Sequence, residues 1–185
     1  MAGTWHLRCA CRALAGGGVI IYPTEGVFGL GCRFDDPEAV KRILRLKGRG
    51  YHKGLIILIS SLAQVKGLLD LRRVDPEIWN ATWPGPVTWV IPASPQAPHW
   101  LTGVQSGIAI RQSAHPLVQY LTGRAGPLVS TSANPSGRSP ARTLLQARRY
   151  FPKGVDYFIP GALGGADGPT EIRDAVSGSV LRKGG

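Results

Sequence analysis

Lys47-Gly-Arg49, with Lys53 four residues further on, brings three cations into a glycine-rich stretch. An ammonium supplies a compact point charge and a guanidinium a planar fork, a pairing suited to phosphate oxyanions. Lys47 also continues an apolar stripe. Val40, Ile43, Leu44 and Lys47 fall at the i, i+3, i+4, i+7 spacing of one helix face. An inward lysine needs a partner, because an unpaired buried charge is costly. A phosphate is one candidate; the plainer alternative is a basic last turn favoured by the helix dipole.

Three further segments carry possible chemistry. Ser130-Thr-Ser-Ala-Asn134 follows a strand at Leu128 and offers hydroxyl and amide groups at its exit, although a Ser/Thr or Asx turn uses the same residues. Arg111 ends the run Ile108-Ala-Ile110, where a guanidinium can grip a carboxylate or phosphate through paired hydrogen bonds, or make a surface salt bridge. Tyr22-Pro-Thr-Glu-Gly-Val-Phe-Gly-Leu-Gly-Cys32 runs a buried strand into Pro23, followed by Gly26, Gly29 and Gly31. Glycine lets backbone approach a ligand closely. Thr24 and Glu25 stand just past the strand end, where open α/β sheets bind ligands. An ordinary turn is the alternative.

Several familiar chemistries are missing. There is no G-x-x-x-x-G-K-[ST] loop, no G-x-G-x-x-G after a strand, no G-x-S-x-G and no H-E-x-x-H. Histidines 6, 52, 99 and 115 are scattered. Cys9, Cys11 and Cys32 form neither a paired framework nor a zinc set, which points to a reducing compartment.

Charge then narrows the partner. The net charge is +11. No acid lies between Glu77 and Asp156, a span that holds Arg111, Arg124, Arg138, Arg142, Arg148, Arg149 and Lys153. From Lys41 to Arg73 nine Lys or Arg face a single acid, Asp70. Such asymmetry suits an anionic partner, whether nucleotide, pyrophosphate or RNA, although it also serves solubility alone.

The elements that must position these groups are short and mixed. The sequence predicts a helix over 7–15 ended by Gly16-Gly17-Gly18, a strand over 19–22, and a helix capped by Asp36-Pro37. A strand at 55–59 and a helix at 61–71 follow, then a short helix from Asp75 to Trp83. Strands are expected at 87–91 and 107–111, a helix from His115-Pro116 to about Thr122, and a strand at 128–130. A helix at 143–150 and strands at 155–159, 171–175 and 180–182 complete the chain. Trp79, Trp83 and Trp89 read as core. Hydrophobic residues make up 43% of 185, a globular composition that fits one domain over 1–185. No apolar run is long enough for a membrane helix and no signal peptide is read. The expectation is a cytoplasmic α/β domain with a twisted, mostly mixed sheet flanked by helices.

Taken together, Tyr22-Pro-Thr-Glu25 through Gly29-Leu-Gly31, Lys47-x-Arg49, Trp83-Pro-Gly-Pro-Val-Thr88, Ala109-Ile-Arg111 with His115-Pro116, and Ser130-Thr-Ser-Ala-Asn134 resemble the YrdC-like threonylcarbamoyl-AMP synthases in type and order. The resemblance covers nearly the whole chain and matches the short bacterial form. It implies a basic concave face and a reaction in which L-threonine and bicarbonate form a carbamate that attacks the α-phosphate of ATP. Lys47 and Arg49, the K-x-R pair, would then be catalytic and bind ATP with Lys53, Ser132, Asn134 and Arg182. Thr24, Arg111, Ser130 and Thr170 would hold threonine, and Mg²⁺ would ride on the polyphosphate. The product would pass to partner proteins that modify adenosine 37 of tRNA. Gly26 stands where many members carry threonine, and Lys53-Gly54 and Leu58 replace other usual residues. Two other readings remain at this point: a non-catalytic module binding double-stranded RNA or tRNA on a basic face, and a carbamoyl-transfer role like that of related domains in longer hydrogenase-maturation proteins.

Overall fold

The computed structural model describes residues 3–50 and 54–184. Helix α1 (Thr4–Ala15) ends at the glycine run, where the Gly16 and Gly18 amides donate back to Arg12 and Ala13 carbonyls. Strand β1 (Ile20–Pro23) is wholly buried, and Pro23 is its last paired residue, opposite Phe28, not a stop before it. The glycine-rich stretch that follows reads as a loop from sequence but forms strand β2 (Phe28–Arg33). It is held on both sides, by β1 and by β6. Its glycines make room for the buried Tyr22 ring: a Cβ on Gly31 would stand 2.8 Å from the Tyr22 hydroxyl and 2.6 Å from the Val129 carbonyl.

Helix α2 (Pro37–Lys47) forms as its caps predict. The Asp36 carboxylate accepts the Glu38 and Ala39 amides, and Gly48 closes the helix at φ 59°. Its buried face is Ala39, Val40, Ile43, Leu44 and Lys47. Strand β3 (Ile56–Ile59) follows. Residues 61–71 do not form the expected helix. A Ser61/Gln64 capping box starts one 3₁₀ turn, Leu62–Gln64, and a second follows at Lys66–Leu68. Leu69 then pairs with Ala93, and the Asp70 amide donates to Pro92. That long-range pairing takes the backbone a longer helix would need. Residues 75–83 likewise make consecutive turns, not a helix, with Trp79 stacked on Trp83 at 5.7 Å. Trp83 and Trp89 are buried as expected, and Trp79 is partly buried against the same cluster.

The remaining elements are β4 (Val87–Pro92), α3 (His99–Thr102), β5 (Gly107–Gln112), α4 (Pro116–Ala125), β6 (Leu128–Ser132), α5 (Leu144–Tyr150), β7 (Tyr157–Phe158), β8 (Glu171–Asp174) and β9 (Val180–Arg182). They match the predicted series to within a few residues, save α3, which lies in a stretch read as loop. The strands form one sheet in the order β7-β1-β2-β6-β3-β5-β4-β8-β9. Pairs β1/β7, β3/β5 and β4/β8 are parallel and the others antiparallel, so the α/β fold with a mixed sheet stands.

One face of this sheet is filled. Leu30, Cys32, Ile57, Ile110 and Val129 pack there with Val40 and Ile43 of α2. On the other face α1 and α4 cover only one end, over Ile20, Tyr22, Leu58 and Leu128. Side chains alternate along a strand, and the register places Gly29 beside Ser132, Ser130 beside Ile56, and Ile56 beside Ala109 on that same side. Four of these five are small. The uncovered half of the face is therefore a hollow. No helix of the described residues is long and apolar enough to cross a membrane.

Candidate active site

The hollow is a cavity of ≈ 360 Å³. Gly29, Ser130, Ser132, Ile56 and Ala109 line it from the central strands. Thr24 and Gly26 border it from the β1–β2 turn, Arg49 from the loop after α2, and Thr170, Ile172 and Arg182 from the C-terminal strands. Arg111, on β5, completes the lining named in the sequence analysis. Seven expected residues thus meet in one pocket although they span positions 24 to 182: Thr24, Arg49, Arg111, Ser130, Ser132, Thr170 and Arg182.

Lys47 and Asn134 stand behind this lining. The Lys47 ammonium, 4% exposed, donates to the carbonyls of Ser132 (2.5 Å) and Asn134 (2.7 Å) and to Asn134 Oδ1 (3.4 Å). Asn134 Nδ2 donates to Pro135 and Arg138 carbonyls. The inward direction of Lys47 is as its helix stripe predicts. Its hydrogen bonds, however, fix the 132–134 turn, a link no local pattern reveals. Lys53 lies outside the described residues.

The cations repel one another. Burial, and then Arg49, lowers the Lys47 pKa to about 8. Burial and Arg182 lower that of Arg49, and burial and Arg111 lower that of Arg182. Each group thus feels the next, in the order Lys47, Arg49, Arg182, Arg111. Below pH 8 the Lys47 ammonium is charged, and an anion set beside it would favour that form further. Arg49 donates to the Gly54 carbonyl (3.0 Å) and Arg182 to that of Thr170 (2.7 Å), which holds both side chains at the rim.

Arg111 is held differently. Its side chain is 7% exposed and pairs at 3.3 Å with Glu25, itself 10% exposed, so the surface salt bridge is excluded. Nη1 donates to Thr170 Oγ1 (2.6 Å). The Ser113 hydroxyl donates to Glu25 Oε1 (2.5 Å) and accepts the His115 amide (3.1 Å). Glu25 and Ser113 are the functional residues that sequence reasoning left without a role. The available signal was Arg111 itself, since an arginine in an apolar strand requires a buried partner.

Two hydroxyls have defined polarity. Thr24 Oγ1 donates to the Val27 carbonyl (2.7 Å), so toward a ligand it accepts. Ser130 Oγ accepts from Tyr22 (2.8 Å) and keeps its own hydrogen to give. The 161–170 segment is strapped to this turn: the Gly164 amide donates to Thr24 and the Ala166 amide to Glu25, each at 3.0 Å. A Cβ on Gly26 would lie 2.1 Å from the Gly168 carbonyl. A threonine, the residue the resemblance suggests here, would not fit beneath this segment as it stands.

A small-residue floor, three lining cations with a fourth behind them, and a buried arginine–carboxylate pair define an α/β protein built to receive an anionic ligand. Residues 12–184 match the Sua5_yciO_yrdC family model, described as telomere recombination, and the chain belongs to that family. A threonylcarbamoyl-AMP synthase of Nitrosococcus oceani is 49% identical over 180 residues, covering 96% of this chain and 97% of its own. One from Pseudomonas aeruginosa strain UCBPP-PA14 is 46% identical over 187 residues, covering 98% and 99%. Among solved structures, P. abyssi Sua5 complexed with L-threonine superposes with a TM-score of 0.87 at 32% identity, covering 98% of this chain. This chain spans only 54% of that longer protein. E. coli YciO gives 0.79 at 26% identity, covering 96% of this chain and 88% of its own.

Proposed function

We propose that this chain is a threonylcarbamoyl-AMP synthase, forming L-threonylcarbamoyladenylate and pyrophosphate from L-threonine, bicarbonate and ATP. The observation that carries the reading is the meeting in one pocket of Thr24, Arg49, Arg111, Ser130, Ser132, Thr170 and Arg182, with Lys47 bracing the Ser132–Asn134 turn behind them. Threonine's amine joins the carbon of CO₂ derived from bicarbonate, losing a proton and giving a carbamate. A carbamate oxygen then attacks the α-phosphorus of ATP, and the bond to the β-phosphoryl oxygen breaks.

Both reactants are anions, so their approach requires positive charge held in place beforehand. Arg49, Arg182 and the Lys47-braced Ser132–Asn134 turn would bind the nucleotide, with Lys53 in the same loop as Arg49. Arg111 would hold the threonine carboxylate through its guanidinium fork. Thr24 would accept a hydrogen bond from threonine and Ser130 would donate one, while Thr170 steadies Arg111. No covalent nucleophile is needed, since positioning supplies much of such a displacement. Mg²⁺ would arrive on the polyphosphate. Among the described residues no group of three His, Cys, Asp or Glu forms a metal cage, and Glu25 is engaged by Arg111 and Ser113.

The product would pass to partner proteins for threonylcarbamoyl modification of tRNA position 37, in the cytoplasm. A module that merely tracked a double-stranded RNA backbone on a basic face would leave the buried Arg111–Glu25 pair and the small-residue floor unused. Carbon from labelled bicarbonate should enter an adenylate only when threonine and ATP are both present. Label that never reaches an adenylate contradicts the proposal.

A further inference from the structure

Tyr22, on β1, is a fully buried titratable side chain with no part in the cavity lining. Its ring lies across β2 to reach β6, over two glycines. A Cβ on Gly29 would stand 3.2 Å from the ring, and one on Gly31 2.8 Å from the hydroxyl. The hydroxyl ends 2.8 Å from Ser130 Oγ, its one hydrogen-bond partner among the described residues. A buried phenol with a single polar neighbour must direct its hydrogen there, because nothing else beside it can accept. Burial keeps the phenol protonated by raising its pKa well above the ordinary value, and the Ser130 bond and the Arg111 charge offset only part of that rise. Tyr22 is therefore a fixed donor. The Ser130 hydroxyl has no other partner among the described residues. It must turn its own hydrogen away from Tyr22, and the cavity it lines is the open direction.

We infer that Tyr22 is a positioning residue: by donating to Ser130 it holds the Ser130 hydroxyl as a donor aimed at an oxygen of the amino-acid substrate. This rests on the proposed assignment of Ser130 to threonine. Left alone, a serine hydroxyl rotates and serves as donor or acceptor alike. Bonded to Tyr22 it presents a hydrogen, polarised further by the bond it receives. Thr24 offers the opposite, since its hydrogen is committed to the Val27 carbonyl. One wall hydroxyl thus donates and the other accepts. An ammonium can only donate and finds Thr24, while a carboxylate can only accept and finds Ser130 and the Arg111 fork. Hydrogen-bond polarity orients the amino acid, and Tyr22 sets half of that polarity without touching the ligand.

The test is a double-mutant cycle on threonine affinity, read by calorimetry, with ATP affinity measured beside it. Tyr22→Phe removes only the hydroxyl and should weaken threonine binding by about three- to tenfold, the scale of one neutral hydrogen bond. Ser130→Ala removes a donor to a charged group and should weaken it by about tenfold or more. Once Ser130 is alanine, Tyr22→Phe should change threonine affinity by less than about twofold, because no hydroxyl remains to orient. Tyr22→Phe should also leave ATP affinity within about twofold of wild type. Unchanged threonine affinity in folded Tyr22→Phe overturns the inference, as does an equal loss with and without the serine. So does a parallel loss of threonine and ATP affinity, which a purely structural role would produce. Should Tyr22→Phe not fold, Ser130→Ala decides: a selective loss of threonine affinity supports the inference, and an unchanged affinity overturns it by leaving Tyr22 no hydroxyl to aim. A wild type that binds no threonine overturns the assignment of the pocket to threonine and the inference with it, whereas the other failures leave that assignment standing.

Discussion

Alanine at Arg49 should lower kcat/KM for ATP by about 10²-fold, the scale seen when one preorganised donor to a developing charge is removed. Lys47→Met does the same by a different route. Methionine preserves the stem that packs in the α2 face but cannot hold the Ser132 and Asn134 carbonyls, so the 132–134 turn loses its brace. Arg148→Ala should change kcat/KM by less than about twofold, as expected of a surface substitution away from special features. That arginine is exposed on α5, with its guanidinium carbon 4.6 Å above the Phe158 ring and no part in the pocket lining. Steady-state kinetics on the three variants checks the pattern. Equal losses at all three sites would mean that diffuse positive charge, not this pocket, carries activity.

Arg111→Ala should be the most damaging single change to stability and should also abolish threonine-dependent turnover. It leaves Glu25 buried without its cation, and breaking such a pair costs about 3–5 kcal/mol. For a chain of this size that corresponds to a fall in Tm of about 6–20 °C. The double variant Arg111→Ala/Glu25→Gln should recover part of the lost Tm, because the orphaned charge goes with the arginine, yet recover no activity. Thermal unfolding followed beside turnover separates these effects. An Arg111→Ala protein as stable as wild type would show that the pair is not the buried contact its geometry describes.

Much of this site is legible in sequence because local rules act on it. Asp36-Pro37 and Gly48 fix the ends of α2, and about two turns of apolar spacing, from Val40 to Lys47, then dictate that Lys47 points inward. Arg111 follows an apolar strand, so its burial could be read. The hidden parts depend on distant residues. Strand β2 has little strand propensity at Gly29 and Gly31. It exists because β1 and β6 pair with it and because the Tyr22 ring needs the space those glycines leave. The 61–71 segment has helical spacing and a working cap, yet pairing of Leu69 with Ala93 overrides both. Glu25 reads as a turn residue until Arg111 and Ser113 arrive from 86 and 88 positions away. Asn134 and Lys47 carry familiar motif positions, but their mutual hydrogen bonds follow only from the fold.

The most direct measurement is pyrophosphate release from ATP and Mg²⁺, with threonine and bicarbonate each added and each withheld. The proposed reaction predicts release that requires both, and its loss in Arg49→Ala and Arg111→Ala but not in Arg148→Ala. Release indifferent to threonine, or none at all from folded protein that still binds RNA, would contradict it.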